Sequence, residues 1–261
     1  MGHSIEEKFS GKIDFYQRLA EVQHESADRL AKSLEPWRLI LPTGPVLELG
    51  AGTGFLTNHL VRLLKDRELM ITDLSADMLN YCRENLMKTE TEDLRIQFKR
   101  LDAENFQPPV NHYAMVCGNF VVQWFRDPAL TLSRFADALK PGGLLLAAFP
   151  GHESFPEWRE QCLKLGLPFT GNDLPNTEEL VIKLSMCDGQ VDFYEDSRTV
   201  EYPNAISFFR NLKLTGADTK LHSRQLKADK FRLLLDHWDR SENGPVKVTW
   251  HLVFFVFKRD Q

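Results

Sequence analysis

The chain has 261 residues, 43% of them hydrophobic, and a net charge of −5, which suits one large domain and argues against a broad nucleic-acid-binding surface. Neither a disulfide framework nor a metal site is predicted, because no histidines share an H-x-x-x-H spacing and the cysteines are scattered, at Cys82, Cys117, Cys162 and Cys187. No signal peptide or apolar run of about 18 residues is visible, so we expect a cytoplasmic protein without membrane attachment.

The first predicted element is an amphipathic helix over residues 12–34. One face is expected to carry residues that recur at helical spacing, namely Ile13, Tyr16, Ala20, Gln23, Ala27, Leu30 and Leu34. Pro36 is expected to stop this helix, because proline has no amide hydrogen to donate within a helix.

Strands and helices then alternate as far as Pro150. The predicted strands cover residues 45–49, 68–73, 94–101, 113–119 and 143–149, and the predicted helices cover residues 54–66, 76–88 and 128–140. Pro141-Gly142-Gly143 is expected to end the last helix and turn the chain into the fifth strand. Such a series indicates a parallel sheet covered by helices on both faces.

Beyond Pro150 the pattern changes to longer helical stretches between two late strands. Helices are predicted over residues 155–165, 176–185, 204–214 and 224–239, and strands over residues 190–201 and 246–258. We expect the helices to lie over the carboxyl ends of the parallel strands, where ligands of open α/β sheets bind.

A glycine-rich loop follows the first strand and carries the clearest functional signal. The strand ends with Glu48, and glycine occupies every second position of the loop at Gly50, Gly52 and Gly54. Glycine lets a backbone turn sharply and approach a ligand, and a helix start supplies unpaired N–H groups. A dinucleotide site has the spacing G-x-G-x-x-G, whereas here the third glycine comes one residue early. A nicotinamide dehydrogenase and a ligand-free turn remain alternatives.

The pattern E-x-G-x-G-x-G resembles the first motif of class I S-adenosylmethionine-dependent methyltransferases. The resemblance implies an α/β, Rossmann-like fold with a seven-stranded, mostly parallel sheet, an antiparallel last strand and helical insertions that form a cap. The chain would then be a single methyltransferase domain. Its parts would be an N-terminal helical lid (1–40), a cofactor-binding core (41–150), cap insertions with a late strand (151–245) and the final antiparallel strand (246–261).

The implied cofactor is S-adenosyl-L-methionine, released as S-adenosyl-L-homocysteine. The loop with Gly50, Ala51, Gly52 and Gly54 would pass under its methionine end, and Glu48 would support its amino group. Asp73 ends the second strand, where a carboxylate can accept hydrogen bonds from both ribose hydroxyls. A helix N-cap role is the alternative for Asp73.

Three further groups of residues are candidates for the cofactor site. The resemblance assigns Asp102 and Ala103 to the adenine ring, although an aspartate after a strand is commonly a turn residue. Leu74 and Met78 are candidate apolar walls for the adenine or plain core. The end of the fourth strand would face the reactive sulfonium with Asn119, Phe120 and Gln123, and core packing is the alternative for Phe120 and Trp124.

More narrowly, the chain resembles the malonyl-acyl-carrier-protein O-methyltransferases of biotin synthesis. The resemblance rests on four segments: Phe9-Ser10-Gly11 with the opening helix, Gly118 to Trp124, Arg210 to Ala217 (R-x-L-K-x-x-G-A), and Thr249-Trp250-His251-Leu252. Residues 155–190 match only loosely, and Glu48 stands where some members have aspartate. The implied reaction is methyl transfer to the free carboxylate of a malonyl thioester.

That chemistry predicts no catalytic acid or base, since a carboxylate with a reference pKa of about 4 is already ionised at neutral pH. We expect orientation of the carboxylate by Arg210 and Lys213, which share a helix face, with Tyr16 and Lys12 as a lid. A solvated helix face is the alternative for the two cations, and an ordinary core position is the alternative for Tyr16.

The expected partner is a malonyl-bearing acyl carrier protein, which is acidic. The segment 210–232 has seven cationic residues against two acidic ones, and such a surface would steer an acidic partner. We expect a monomer. Another small-molecule carboxyl or carbon methyltransferase and a non-catalytic cofactor-binding protein remain alternatives.

Overall fold

One seven-stranded sheet forms the centre of the fold in a computed structural model that describes residues 13–86, 95–215, 225–242 and 244–261. The strands are β1 (Val46–Leu49), β2 (Leu69–Asp73), β3 (Ile96–Arg100), β4 (Tyr113–Asn119), β5 (Leu139–Pro150), β6 (Gly189–Tyr202) and β7 (Val246–Arg259). Their order is β3-β2-β1-β4-β5-β7-β6, and β7 runs antiparallel to both of its neighbours. The predicted mostly parallel sheet with an antiparallel last strand is confirmed.

Helices cover both faces of this sheet, as the apolar sequences of β1 and β4 require. They are α1 (Ile13–Leu19), α2 (Glu21–Leu34), α3 (Thr57–Leu63), α4 (Ala76–Leu86), α5 (Pro128–Ala138), α6 (Pro156–Lys164), α7 (Thr177–Leu184), α8 (Ala205–Leu214) and α9 (Ala228–Ser241). The buried residues of α2, α3 and α4 pack on one face, and those of α5 and α7 pack on the other. Within these ranges, no helix has the length and apolar character to cross a membrane.

The opening helix differs from the prediction because it breaks into α1 and α2 at Ala20. The backbone of Ala20 leaves the helical region, with ψ at 48°. Before the break, α1 packs against α8, and the Asn211 side-chain amide donates to the Leu19 carbonyl over 3.3 Å. The break turns α1 toward the carboxyl ends of the strands, which a straight helix over 12–34 would not do.

The fifth strand begins earlier than predicted. Leu139 already pairs with Tyr113, and the regular register resumes only where Leu144 faces Met115. The Pro141-Gly142-Gly143 segment is an irregularity within β5 and does not precede the strand, because Gly142 bends the backbone at a φ of 73° while pairing continues on both sides.

The predicted insertions take two different places. Helices α6, α8 and α9 contact one another through a buried aromatic cluster that includes Phe208 and Trp238, and we call these three helices and the loop 165–176 the cap. Helix α7 was expected over the strand ends but lies against α5 on a sheet face. Its Leu180 and Leu184 are fully buried there, which explains the position.

Candidate functional site

A cavity of about 680 Å³ lies at the carboxyl ends of the parallel strands. Two walls enclose it. The loop wall consists of the loops that follow β1, β2, β3 and β4 and carries most of the polar side chains. The aromatic wall comes from the cap and β7, with the rings of Phe155, Trp158, Phe209, Phe231 and Trp250. One cavity thus combines a largely polar surface with an aromatic one.

The glycine loop forms part of the loop wall, and two of its glycines are needed there. Gly50 has a φ of 63°, and a Cβ at this position would lie 2.6 Å from Cγ2 of Val121. Gly52 has a φ of 56°, and a Cβ there would meet only the Tyr16 hydroxyl, at 4.0 Å, so it would project into the cavity. The loop therefore offers its bare backbone to a ligand, as the cofactor hypothesis requires.

Gly54 is packed against a helix, and its predicted part in cofactor binding stays a prediction. It is not among the described residues that line the cavity. Its φ is 95°, and a Cβ on it would lie 2.8 Å from Sγ of Cys82 on α4. Gly54 therefore allows α4 to pack against the loop.

Two acidic side chains of the loop wall differ strongly in environment. Glu48 is 1% exposed and accepts a hydrogen bond of 2.7 Å from the Thr57 hydroxyl. Burial, and then the nearby Asp73 carboxylate, raise the pKa of Glu48 to about 8, although the Thr57 hydrogen bond acts in the opposite direction. A buried acid of this kind would gain a partner if a cationic group were bound beside it.

Asp73 is held in place by backbone amides. The Gly52 N–H donates to Oδ2 over 2.7 Å, and the Ser75 N–H donates to Oδ1 over 2.8 Å. The helix-capping contact comes from Ser75, whose hydroxyl accepts from the Met78 N–H at 3.3 Å. Asp73 therefore ties the glycine loop to the start of α4, and it lines the cavity.

Tyr16 of α1 closes the cavity above the glycine loop. Its ring stacks on that of Phe55, with centroids 5.9 Å apart and planes inclined by 19°. Burial, and then the Asp73 carboxylate, raise the pKa of the Tyr16 phenol, so the phenol remains a hydrogen-bond donor at neutral pH. Lys12, the other predicted lid residue, lies outside the described residues.

The predicted adenine-binding residues also line the cavity. Asp102 supports a turn, since its carboxylate accepts from the Glu104 N–H at 3.0 Å and from the Asn105 side-chain amide at 2.8 Å. Ala103 follows directly, and Leu74 and Met78 complete this apolar part of the loop wall. The turn role and a ligand role are compatible here, and the ligand role stays a prediction.

The end of β4 brings Asn119, Phe120 and Gln123 to the cavity. The side-chain amide of Asn119 donates to the Gln23 carbonyl over 2.9 Å, and that of Gln123 donates to the Phe120 carbonyl over 2.8 Å. Phe120 adopts a left-handed φ of 55°, which is rare for an aromatic residue and is found mainly at functional sites. Its ring centroid lies 6.0 Å from that of Trp250, so the two walls meet here.

Arg210 and Lys213 are not brought into the cavity. Both are on α8, but they are exposed to solvent, whereas Phe209, Leu212 and Thr215 of the same stretch line the cavity. Successive helical residues point about 100° apart, so the face with the two cations is turned away. The expectation that they hold a carboxylate inside the cavity therefore has no support in this geometry.

Sequence reasoning missed most of the aromatic wall and one cation. Phe155 and Trp158 lie in the region that matched the family loosely, and only Trp250 stood in a segment that carried the resemblance. Arg126, which follows β4, is the one lysine or arginine among the described residues that line the cavity. The one sequence signal for the aromatic wall was the presence of aromatic residues in the predicted cap helices, and an ordinary hydrophobic core gives the same signal.

Across the described ranges, no cluster of His, Cys, Asp and Glu is suited to hold a metal ion.

Residues 46–143 match the family model described as a methyltransferase domain. A malonyl-[acyl-carrier protein] O-methyltransferase of Magnetococcus marinus is 32% identical over 95% of this chain and 90% of that protein. The biotin biosynthesis bifunctional protein BioCD of Bordetella avium is 31% identical over 91% of this chain but only 49% of that protein. The YcgJ protein of Bacillus subtilis has a similar fold, with a TM-score of 0.65, 14% identity, and coverage of 91% and 99% of the two chains.

Proposed function

Because this chain belongs to the malonyl-[acyl-carrier protein] O-methyltransferase family, we propose that it methylates the free carboxylate of malonyl-acyl carrier protein with S-adenosylmethionine. The product would be the malonyl methyl ester with which biotin synthesis begins. The observation that carries the proposal is a cavity in which the glycine loop and Asp73 face an aromatic wall. The 41–150 segment then serves as the cofactor-binding core and the cap as the acceptor-binding part.

The loop wall fits the cofactor. A Cβ at Gly52 would fill space that the cofactor needs, and Glu48 is a buried acid positioned to partner an ammonium group. We assign the amino group to Glu48, the ribose hydroxyls to Asp73 and the adenine ring to Asp102, Ala103, Leu74 and Met78. When bound, S-adenosylmethionine supplies an electrophilic methyl group on a sulfonium. The end of β4, with Asn119 and Phe120, would face that centre.

The protein's contribution to the reaction is alignment and exclusion of water. The malonyl carboxylate is ionised without help at neutral pH, so no base is required. Tyr16 suits a donor role, since the raised pKa keeps its phenol protonated, and it lies in the cavity. The aromatic wall removes water around the nucleophile, and proximity then provides most of the rate.

Arg210 and Lys213 fit better as part of a carrier-protein surface. The exposed cations of the segment 210–232 that the structure describes are Arg210, Lys213, Lys227, Lys230 and Arg232, with Asp229 the single acid among the described positions. Lys220, Arg224 and Asp218 lie outside the described residues. An acidic carrier protein would be attracted to this surface, and its binding should weaken as salt rises.

A comparison of two carriers separates the roles of Arg210. If Arg210 acts at the surface, Arg210→Ala should raise KM for malonyl-carrier protein about three- to tenfold and leave KM for malonyl-coenzyme A unchanged. If it holds the malonyl carboxylate, both acceptors should lose turnover. If Arg210→Ala had the same KM and kcat as the wild type with both acceptors, Arg210 would have no part in the proposed function.

Mass spectrometry of malonyl-carrier protein incubated with the enzyme and S-adenosylmethionine tests the proposed function. We expect a mass gain of one methyl group on malonyl-carrier protein and none on acetyl-carrier protein, which lacks the free carboxylate. Absence of methylation on every malonyl thioester would contradict the proposal.

A further inference from the structure

Glu157 links the first turn of the cap to the last strand of the sheet. It follows Pro156 at the start of α6, where a negative charge is favoured by the helix dipole. Its Oε2 accepts from the Thr249 backbone N–H over 3.0 Å, and its Oε1 accepts from the Thr249 hydroxyl over 2.6 Å. One carboxylate therefore holds both donors of a single β7 residue.

The contact continues to the edge strand β6. The hydroxyl oxygens of Thr249 and Thr199 are 3.0 Å apart. Because the Thr249 hydroxyl donates its hydrogen to Glu157, Thr199 is the donor in this pair. A three-residue chain thus joins β6, β7 and α6.

The same stretch of β7 holds the turn between β5 and α6. The Gly151 N–H donates to the His251 carbonyl, and the Phe155 N–H donates to the Thr249 carbonyl, each over 2.8 Å. The Ser154 hydroxyl donates to the His251 carbonyl at 3.2 Å, and its oxygen accepts from the His251 N–H at 3.0 Å.

The turn ends in a strained residue of the aromatic wall. Phe155 has a φ of 66°, which for a bulky side chain persists only where the surroundings enforce it. Its ring meets that of Trp250 edge to face at 4.7 Å and lies 6.3 Å from that of Trp158. Thr249 therefore bonds to Phe155 and to Glu157, the chain neighbour of Trp158, and it directly precedes Trp250.

We propose that Glu157 is a positioning residue for acceptor binding, because its hydrogen bonds to Thr249 hold Phe155, Trp158 and Trp250 in the arrangement that receives the acyl group. The inference rests on the proposed function. The loop wall contains none of these residues, so loss of Glu157 should affect the acceptor and spare the cofactor.

Three variants test the inference. Glu157→Ala leaves the Thr249 N–H without a partner, and we expect KM for malonyl-carrier protein to rise about tenfold, with kcat within about threefold and cofactor Kd within about twofold. Glu157→Gln should stay within about threefold of the wild-type KM, because its amide can accept from the N–H and donate to the hydroxyl oxygen. Glu160→Ala, on the exposed side of the same helix, is the control and should have no effect.

Hydrogen exchange gives a readout that needs no catalysis. In Glu157→Ala, amides of 151–164 should exchange faster, while amides of 46–57 should keep the wild-type rate. The inference would be overturned by an unchanged KM in Glu157→Ala, or by a KM in Glu157→Gln as high as that of Glu157→Ala. A parallel loss of acceptor and cofactor binding in Glu157→Ala would also overturn it. Should Glu157→Ala not fold, Thr249→Val keeps the N–H contact and should raise KM about threefold. Inactive wild-type enzyme with the expected exchange pattern would count against the proposed function and leave the positioning of the wall standing.

Discussion

The loop wall and the aromatic wall of the cavity are assembled in different ways. In the loop wall, Glu48, Asp73 and Asn119 lie at the ends of three neighbouring parallel strands, so sheet order alone brings them together. In the aromatic wall, Phe155, Phe209 and Trp250 come from the turn before α6, from α8 and from β7, and long-range hydrogen bonds and ring contacts hold them. The first wall depends on local backbone geometry, and the second on packing between distant segments. Variants in the two walls should therefore fail in different assays.

The largest effect is expected at Gly50, where both the backbone and the packing of the loop wall depend on glycine. Gly50→Ala would combine a left-handed φ, at about 1–2 kcal/mol, with a clash against Val121, for a total of about 2–5 kcal/mol of unfolding free energy. Gly166→Ala is the matched control, since its φ of 61° is similar but no atom lies within 4 Å of its Cβ position. Denaturant unfolding of both variants measures the difference. Equal losses would show that the clash has no cost.

Asp73→Asn is expected to weaken cofactor binding about 10- to 100-fold, because a charged acceptor is lost from the loop wall. Calorimetric Kd for S-adenosylmethionine measures this, and KM for the acceptor at saturating cofactor should change little. Asp66→Asn, at a side chain that is 84% exposed, is the control. A changed acceptor KM with an unchanged cofactor Kd would contradict the division into two walls.

The pH dependence of stability is expected to follow Glu48. Its pKa is about 8 in the folded protein and about 4.3 when unfolded, so between these values the folded state binds one more proton. The contribution of protonated Glu48 to the free energy of unfolding is complete below the unfolded-state pKa. As pH rises toward 8, the free energy of unfolding falls by about 1.4 kcal/mol per pH unit.

Urea unfolding of wild type and Glu48→Gln from pH 5 to pH 8 checks this expectation. The free-energy difference between the two proteins should change across the range, since glutamine does not titrate. Glu160→Gln, at an exposed site, should follow the wild type. A constant difference between wild type and Glu48→Gln would show that Glu48 is ionised when buried.

The smallest effect is expected from Phe231→Leu in the aromatic wall. Phe231 meets Phe209 edge to face at 5.0 Å, and such a pair contributes about 0.5–1.5 kcal/mol beyond burial. We expect acceptor KM to rise a few-fold and cofactor Kd to stay unchanged. Leu233→Ala, at an exposed position of the same helix, serves as the control. A larger change in cofactor Kd than in acceptor KM would show that the aromatic wall also contributes to cofactor binding, and would contradict the division into two walls.

Much of the loop wall could be predicted from the sequence. Glu48, Asp73 and Asn119 lie at the ends of apolar strands, Asp102 follows a strand of alternating polar and apolar residues, and the carboxyl ends of parallel strands meet at one edge of a sheet. Gly54 shows the limit of that reasoning. Glycine in a ligand loop and glycine under a packed helix look alike until the position of Cys82 is known.

The aromatic wall and the exposure of Arg210 could not be predicted in this way. Helical periodicity places Arg210 and Lys213 on one face of α8, but it does not say which face the rest of the molecule covers. Similarly, the apolar residues in 176–185 predict a helix with one buried face. The same pattern results if that face packs on the sheet or covers a ligand site, so the sequence does not distinguish the two.

The sequence by itself determined the alternation of strands and helices up to Pro150, the glycine loop and the acids near the strand ends, because these depend on local backbone geometry and on the period of apolar residues. The seven-stranded sheet with its antiparallel last strand was implied by the family resemblance, and the order of the strands came from the structure. Only the tertiary structure decided which helices form the cap, where the break at Ala20 turns Tyr16, and how Glu157 and Thr249 bring Phe155 to Trp250. These features arise from contacts between residues far apart in the chain, and no local pattern encodes such contacts.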